Sequence, residues 1–332
     1  MNVTIHEVGP RDGLQIEKKI IPTEAKMAWI EKLIESGVDA IQLGSFVNPE
    51  RVPQMADTER LFEYFNGPGH KPKRTALTAL VLNEKGLDRG LACGVEHFCM
   101  GASASDTHSR KNTGMSTKEA VGRIIGMAAR AMAAGMRVQV SVQSAFGCGY
   151  EGVVPKEGVL EIVSRYLDAG VTTISLADTA GHATPLQVED LFGAIRDIAP
   201  RAVLACHFHD TYGMAMANCH AALRAGVQSF EAAVAGLGGC PFTAVTGGNV
   251  ATEDLVHMLQ RMGMCGDIAL ASLIDAAAMM EELLGRTLPG VVHRAGVIRH
   301  PESAQRGEGS QDARVSRSRS FAVSAAQDDV KA

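Results

Sequence analysis

Eight short, β-rich apolar runs separated by longer helical patterns predict an α/β chain of parallel strands joined by helical crossovers. Eight such units fit two arrangements, a doubly wound open sheet and a closed (β/α)8 barrel. No Gly-x-Gly-x-x-Gly turn follows the first strand, which weakens the dinucleotide-binding option. Polar candidates cluster instead at the ends of strands one, two, six, seven and eight, and only a closed ring brings such distant ends to one centre, at its C-terminal face. The expectation is a (β/α)8 TIM barrel with extra C-terminal helices over residues 1–300, then a disordered tail over 301–332.

The strands are expected at 3–8, 38–43, 75–81, 95–100, 138–142, 171–176, 202–207 and 227–232. Helical periodicity falls between them at 23–35, 55–65, 84–92, 117–134, 156–169, 185–198 and 213–225, with Thr23 as the first N-cap. Four helices run into the next strand through a glycine, at Gly37, Gly135, Gly170 and Gly226, the residue that supplies a left-handed C-cap. Pro185 opens its helix at a first-turn position, where a missing N–H costs little. The polar stretch 101–114 reads as a long loop on the active face, a lid or substrate loop. Helices are expected again at 252–262 and 267–284. From Pro301 the composition turns to Ser, Gln, Arg, Asp and Glu, which cannot bury a core.

Hydrophobic content of 46% and charged content of 21% are those of an ordinary globular protein. A formal charge of -5, without a basic block, argues against a nucleic-acid partner. No apolar run reaches the length of a bilayer span, and Met1-Asn2-Val3-Thr4-Ile5 enters a strand with no signal peptide. Seven cysteines without a pairing pattern fit a reducing cytoplasm.

Three polar clusters carry the chemistry. His207 and His209 end an apolar strand two residues apart, so both imidazoles face one side and suit a divalent metal. Two core histidines, each satisfied by a local hydrogen bond, would give the same pattern. Arg11 and Asp12 follow the first strand, Asp12 offering a hard oxygen and Arg11 a cationic fork for a carboxylate or thioester oxygen. Together with Asn249 they make a site of two nitrogen and two oxygen ligands. Such a mixed set suits Mg²⁺, Mn²⁺ or Zn²⁺, and spacing does not choose among them. Cys240 opens a glycine-rich stretch as a proton donor or a buried thiol, and Cys148 is left open. Asp178, at the end of strand six, orients a ligand, takes a proton or caps the following turn.

Glu7-Val8-Gly9-Pro10-Arg11-Asp12-Gly13-Leu14-Gln15, Ser45-Phe46-Val47, Val52-Pro53-Gln54-Met55-Ala56-Asp57 and His207-Phe208-His209-Asp210-Thr211-Tyr212-Gly213 are distinctive. With Ala235-Gly236-Leu237-Gly238-Gly239-Cys240-Pro241 and Gly248-Asn249-Val250-Ala251-Thr252-Glu253-Asp254, they resemble the 3-hydroxy-3-methylglutaryl-CoA lyase family of metal-dependent barrel lyases, in register from about Thr4 to about Leu284. The resemblance implies metal ligation by Asp12, His207, His209 and Asn249. It implies enolate stabilisation by Arg11, acid/base work by Cys240, an active-site place for Asp178 and a proton role for His207. Arg11, Gln42, Ser45, Ser141 and Ser175 are expected to bind substrate. The implied reaction is a retro-Claisen cleavage of an acyl-CoA substrate to acetyl-CoA and an oxo acid, by a homo-oligomer (dimer or tetramer) without a membrane or nucleic-acid partner.

The chain departs from the family pattern in three regions: strand two, strand five with the loop after it, and the glycine-rich stretch. Gln42 stands where the family has a glutamate, and it keeps hydrogen bonding but cannot ionise. Ser141 replaces a tyrosine, and Gly147-Cys148-Gly149-Tyr150 replaces Gly-Cys-Pro-Tyr. Thr243-Ala244-Val245-Thr246 replaces a small polar and glycine pattern. These changes leave open a related lyase or aldolase with a different hydroxyacyl-CoA or hydroxy-oxo-acid substrate. They also leave open a binding protein that lost activity through Gln42.

Overall fold

The computed structural model describes residues 3–239 and 247–296. Its strands are β1 (Thr4–Glu7), β2 (Ala40–Ser45), β3 (Ala76–Leu80), β4 (His97–Ser103), β5 (Arg137–Gln143), β6 (Thr173–Asp178), β7 (Val203–Phe208) and β8 (Ser229–Ala232). Each pairs in parallel with the next, and β8 pairs back onto β1, Thr4 opposite Ser229 and Glu7 opposite Ala232. The predicted closed barrel is the observed one.

The pleat divides these strands by chemistry. In β5 the apolar set is Val138, Val140 and Val142, in β6 Ile174 and Leu176, and in β7 Leu204, Cys206 and Phe208, all buried. The alternate residues Gln139, Ser175, His207 and Glu231 hydrogen-bond to one another across the ring, so they share its interior. An interior of this kind usually holds branched aliphatics. Here a polar layer sits beneath the C-terminal face.

The helices around the barrel are α1 (Thr23–Glu35), α2 (Thr58–Asn66), α3 (Glu84–Ala92), α4 (Asp106–Thr113), α5 (Thr117–Ala133), α6 (Lys156–Asp168), α7 (Pro185–Ile198) and α8 (Ala215–Arg224). In α5, Ala120, Val121, Ile124, Met127, Ala128 and Ala131 recur at helical spacing and are buried. Its start is a capping box in which Ser116 accepts from Glu119 N and the Glu119 carboxylate accepts from Ser116 N. Gly37, Gly135, Gly170 and Gly226 all have φ between 80° and 84°, the left-handed caps the sequence predicts.

Three local readings need correction. The stretch 101–114 is not a loop: β4 runs on to Ser103, and α4 follows, with Ser105 accepting from His108 N and Gly114 as a left-handed C-cap. A nearly all-polar helix has no apolar stripe, so periodicity misses it and only the caps announce it. Thr23 is the first residue of α1 rather than its cap, since Pro22 takes that place without a side-chain bond. The helix expected at 55–65 is a 3-10 turn (Pro53–Met55) followed by α2, where Thr58 Oγ1 donates to Met55 O at 2.8 Å.

Beyond the barrel lie α9 (Thr252–Arg261), α10 (Leu270–Leu284) and α11 (Val292–Ala295). The wholly buried Trp29 ties α1 to α10, its Nε1 donating to Ala276 O at 3.1 Å. No helix among the described residues is long and apolar enough to cross a membrane. The tail expected over 301–332, and the boundary at residue 300, lie outside the described residues.

Ser116→Ala removes the cap of α5 without touching the barrel interior. It is expected to cost about 1 kcal/mol, read as a lower denaturant midpoint at unchanged slope.

Candidate active site

The turn after β1 is a π-type turn over Gly9–Gly13, in which Val8 O accepts from Arg11 N and Asp12 N. It turns Arg11 and Asp12 over the top of the ring. On the far side of the closure, β7 extends past Phe208, and His209 bridges Asn249 in antiparallel fashion. Asp210 N donates to Gly248 O, and Val250 N donates to Phe208 O. This pairing needs a glycine at 248, because a Cβ there would lie 1.8 Å from Gly236 O.

The convergence is close. His207 Nε2 and His209 Nε2 lie 3.1 Å apart, and Asp12 Oδ2 is 3.8 Å from the first and 3.7 Å from the second. One ligand atom from each of the three residues lies within 4.8 Å of the others, a spacing that one cation can span. Asn249 Nδ2 donates to Asp12 Oδ2 at 2.8 Å and to Leu237 O at 3.0 Å. Its Oδ1 is buried with no hydrogen-bond partner among the described residues. A buried acceptor left over beside two imidazoles and a carboxylate fits a metal ligand set.

The electrostatics sharpen that picture. Burial pushes the Asp12 pKa up, but Arg11 and the two histidines hold it well below the usual carboxylate range. Burial lowers His207, yet its hydrogen bond to Glu231 and the charges of Asp12 and Glu231 outweigh this and raise it. His209, with burial and His207 against it, falls to about 4. Arg11 divides its guanidinium between Gln42 Oε1, through Nε, and Asp12 Oδ1, through Nη1. A cavity of about 440 Å³ opens over this group, lined by Arg11, Asp12, Ser141, His207, His209 and Gly239 among others.

A family model described as HMGL-like matches residues 2–280. The chain belongs to the HMGL-like family. A hydroxymethylglutaryl-CoA lyase of Bacillus subtilis is 39% identical over 287 residues, covering 86% of this chain and 95% of that protein. An (R)-citramalyl-CoA lyase of Chloroflexus aurantiacus is 38% identical over 302 residues, 89% of this chain and 95% of its own length. Among solved structures, the Bacillus subtilis HMG-CoA lyase superposes with a TM-score of 0.84 at 38% identity, over 89% of this chain and 97% of that one. An HMG-CoA lyase from Acinetobacter baumannii in complex with coenzyme A and 3-methylmalate gives 0.83 at 34% identity, over 90% and 97%.

The HMGL-like barrel brings together Arg11, Asp12, His207, His209 and Asn249, with Ser141 on the cavity wall. Gln42 is buried behind Arg11 and acts on it. Ser45 does not reach the cavity wall; it is buried and its Oγ donates to Leu80 O at 3.1 Å. Ser175 lies lower in the barrel and donates to Glu231 Oε1 at 3.2 Å. The Asp178 carboxylate turns into its own loop, accepting from His182 N at 2.8 Å and Ala183 N at 2.9 Å, which is the capping alternative. Cys240 lies outside the described residues, one position beyond Gly239.

Sequence reasoning missed Glu231 and Glu7. Glu231 Oε2 accepts from His207 Nδ1 at 2.9 Å, and Oε1 accepts from Gln139 and Ser175. Glu7 is fully buried and accepts from Gly9 N, Val234 N and Thr252 Oγ1, tying the β1 turn to the segment after β8. The available signal was an acid within a short strand-forming stretch, at Ser229-Phe230-Glu231-Ala232 and Thr4-Ile5-His6-Glu7.

Burial raises Asp178 from the ordinary carboxylate range to about 6. The native state therefore keeps a proton that the unfolded chain releases near pH 4, and this stabilising contribution disappears as pH rises through about 6. Measured by denaturant unfolding across that window, the wild type is expected to lose stability relative to Asp178→Asn. A pH-independent difference between the two would contradict the assignment.

Proposed function

We propose that this HMGL-like barrel cleaves a 3-hydroxy-3-methylglutaryl-CoA-like thioester by retro-Claisen chemistry, giving acetyl-CoA and an oxo acid, acetoacetate for the standard substrate. The observation that carries the reading is the meeting of Asp12, His207 and His209 beside Arg11 in one cavity. Its support is a chain 38–40% identical, over most of its length, to proteins named hydroxymethylglutaryl-CoA lyase or citramalyl-CoA lyase.

In this reading Asp12, His207, His209 and Asn249 hold a divalent cation, Mg²⁺ or Mn²⁺ before Zn²⁺, which when bound supplies Lewis acidity that lowers the pKa of a substrate hydroxyl. Arg11 faces the thioester carbonyl and takes up the negative charge that grows on its oxygen as the carbon–carbon bond breaks. Gln42 and Asp12 hold the guanidinium in place, and the neutral Gln42 leaves it with a single carboxylate partner. Of the two roles expected for His207, the geometry favours ligation, because Nδ1 faces Glu231 while Nε2 faces His209 and Asp12. Acid/base work then falls to Cys240: its thiolate takes the hydroxyl proton and the thiol returns it to the enolate carbon. Six cysteines among the described residues are free, in keeping with the cytoplasmic setting expected from the sequence.

An aldolase acting on a CoA-free hydroxy-oxo acid is not favoured. The aldolase-like barrel from Bacteroides vulgatus, at 18% identity, shares the fold alone.

Incubation with hydroxymethylglutaryl-CoA and with citramalyl-CoA, in added Mg²⁺ or Mn²⁺, is expected to release acetyl-CoA from at least one. Cleavage of no thioester across a panel of 3-hydroxyacyl-CoA substrates would overturn the reading. Cys240→Ala should keep metal affinity and lose about 100-fold or more in kcat; unchanged turnover would remove Cys240 from the reaction. His209→Ala should reduce bound Mn²⁺ at a fixed free concentration, and equal occupancy by metal analysis would strike it from the ligand set.

A further inference from the structure

Glu231 is a buried acid of the barrel interior that belongs to neither the ligand set nor the cavity's cationic group. It comes from the middle of β8, directly across the parallel register from His207 on β7. Its side chain is 8% exposed, and an ionised carboxylate so placed needs donors for both oxygens. It has them: Gln139 Nε2 and Ser175 Oγ on Oε1, and the His207 ring nitrogen Nδ1 on Oε2. The hydrogen-bond count decides the proton positions. An ionised carboxylate only accepts, so His207 Nδ1 carries a hydrogen, and in the neutral ring Nε2 must then present its lone pair. That lone pair points at His209 Nε2, 3.1 Å away, with Asp12 Oδ2 at 3.8 Å.

We infer that Glu231 is the positioning residue that locks the tautomer of His207, so that Nε2 alone is offered upward to a cation and Nδ1 is closed to it. The inference rests on the metal-site reading above and adds to it the group that prepares the site. Gln139 on β5 and Ser175 on β6 brace Glu231 on Oε1, so four consecutive strands set one imidazole. His209 differs in kind: no carboxylate bonds its Nδ1 among the described residues. The two histidines of the pair are therefore not equivalent, and His207 is the one whose donor atom a buried carboxylate fixes before any ligand arrives.

The closing experiment reads proton positions and metal binding separately from turnover. Imidazole ¹⁵N spectra of the metal-free wild-type protein, recorded on the high-pH side of the His207 titration, should show His207 protonated at Nδ1 and bare at Nε2. The resonance is assigned by its loss in His207→Gln. A His207 ring protonated at Nε2 would overturn the inference with no need for a Glu231 variant. Glu231→Gln can accept on one side only, so it either faces Gln139 with a second amide or turns its NH₂ toward Nδ1. Mixed tautomers and a loss of about 10–100-fold in Mn²⁺ affinity by titration calorimetry are expected. Glu231→Asp keeps the charge and should keep the Nδ1–H signal. Affinity within about twofold of wild type in Glu231→Gln, with an unchanged tautomer, would defeat the inference while leaving the metal site intact. A wild-type protein that binds no Mn²⁺ would instead defeat the metal-site reading itself.

Discussion

Closure of β8 onto β1 is the constraint on which the rest of this molecule depends. It places Asp12 and Asn249, 237 positions apart, in direct contact at 2.8 Å, and sets both beside the end of β7. An open sheet would leave β1 and β8 at opposite edges, with the aspartate and the histidines a sheet-width apart. Glu7 reinforces the seam from below. Its buried carboxylate accepts from Gly9 on the β1 side and from Val234 and Thr252 on the β8 side. Removing a buried acceptor of three donors strands each of them, so the seam resists separation.

The polar layer beneath the cavity follows from that closure. Gln139, Ser175, His207 and Glu231 come from four strands and would each be costly in an apolar barrel. Arranged in one ring, each satisfies another, and the net is a rigid floor in place of an unpaired charge. The face that carries Asp12, His207 and His209 is thus supported by hydrogen bonds from below and by the Arg11–Asp12 turn from above. Rigid support of this kind keeps ligand atoms within tenths of an ångström of where they are needed.

Much of the site was legible without coordinates, because its members sit in marked places. His207 and His209 stand at the end of an apolar strand, and Arg11 and Asp12 directly follow another. Residues that end strands of a parallel barrel converge by topology, whatever their separation in the chain. Ser45 and Ser175 show the other side of this, since each bonds a protein group that the sequence did not indicate. A serine carries no sign of which layer of the barrel it occupies, and both turned out to serve neighbouring groups. The helix α4 escaped detection since its polar face has no apolar counterpart to betray a period.

The amino-acid sequence by itself determined the order of the eight strands, the glycine caps and the barrel class, since each of these is written in local periodicity and residue chemistry. Only the tertiary structure decided that Asp178 closes its own turn, that Gln42 bonds Arg11, and that Glu231 holds His207. The physical reason is that a side chain's hydrogen-bond partner depends on strand register and layer height across the ring. Those are properties of eight strands packed together, and no single stretch of chain carries them.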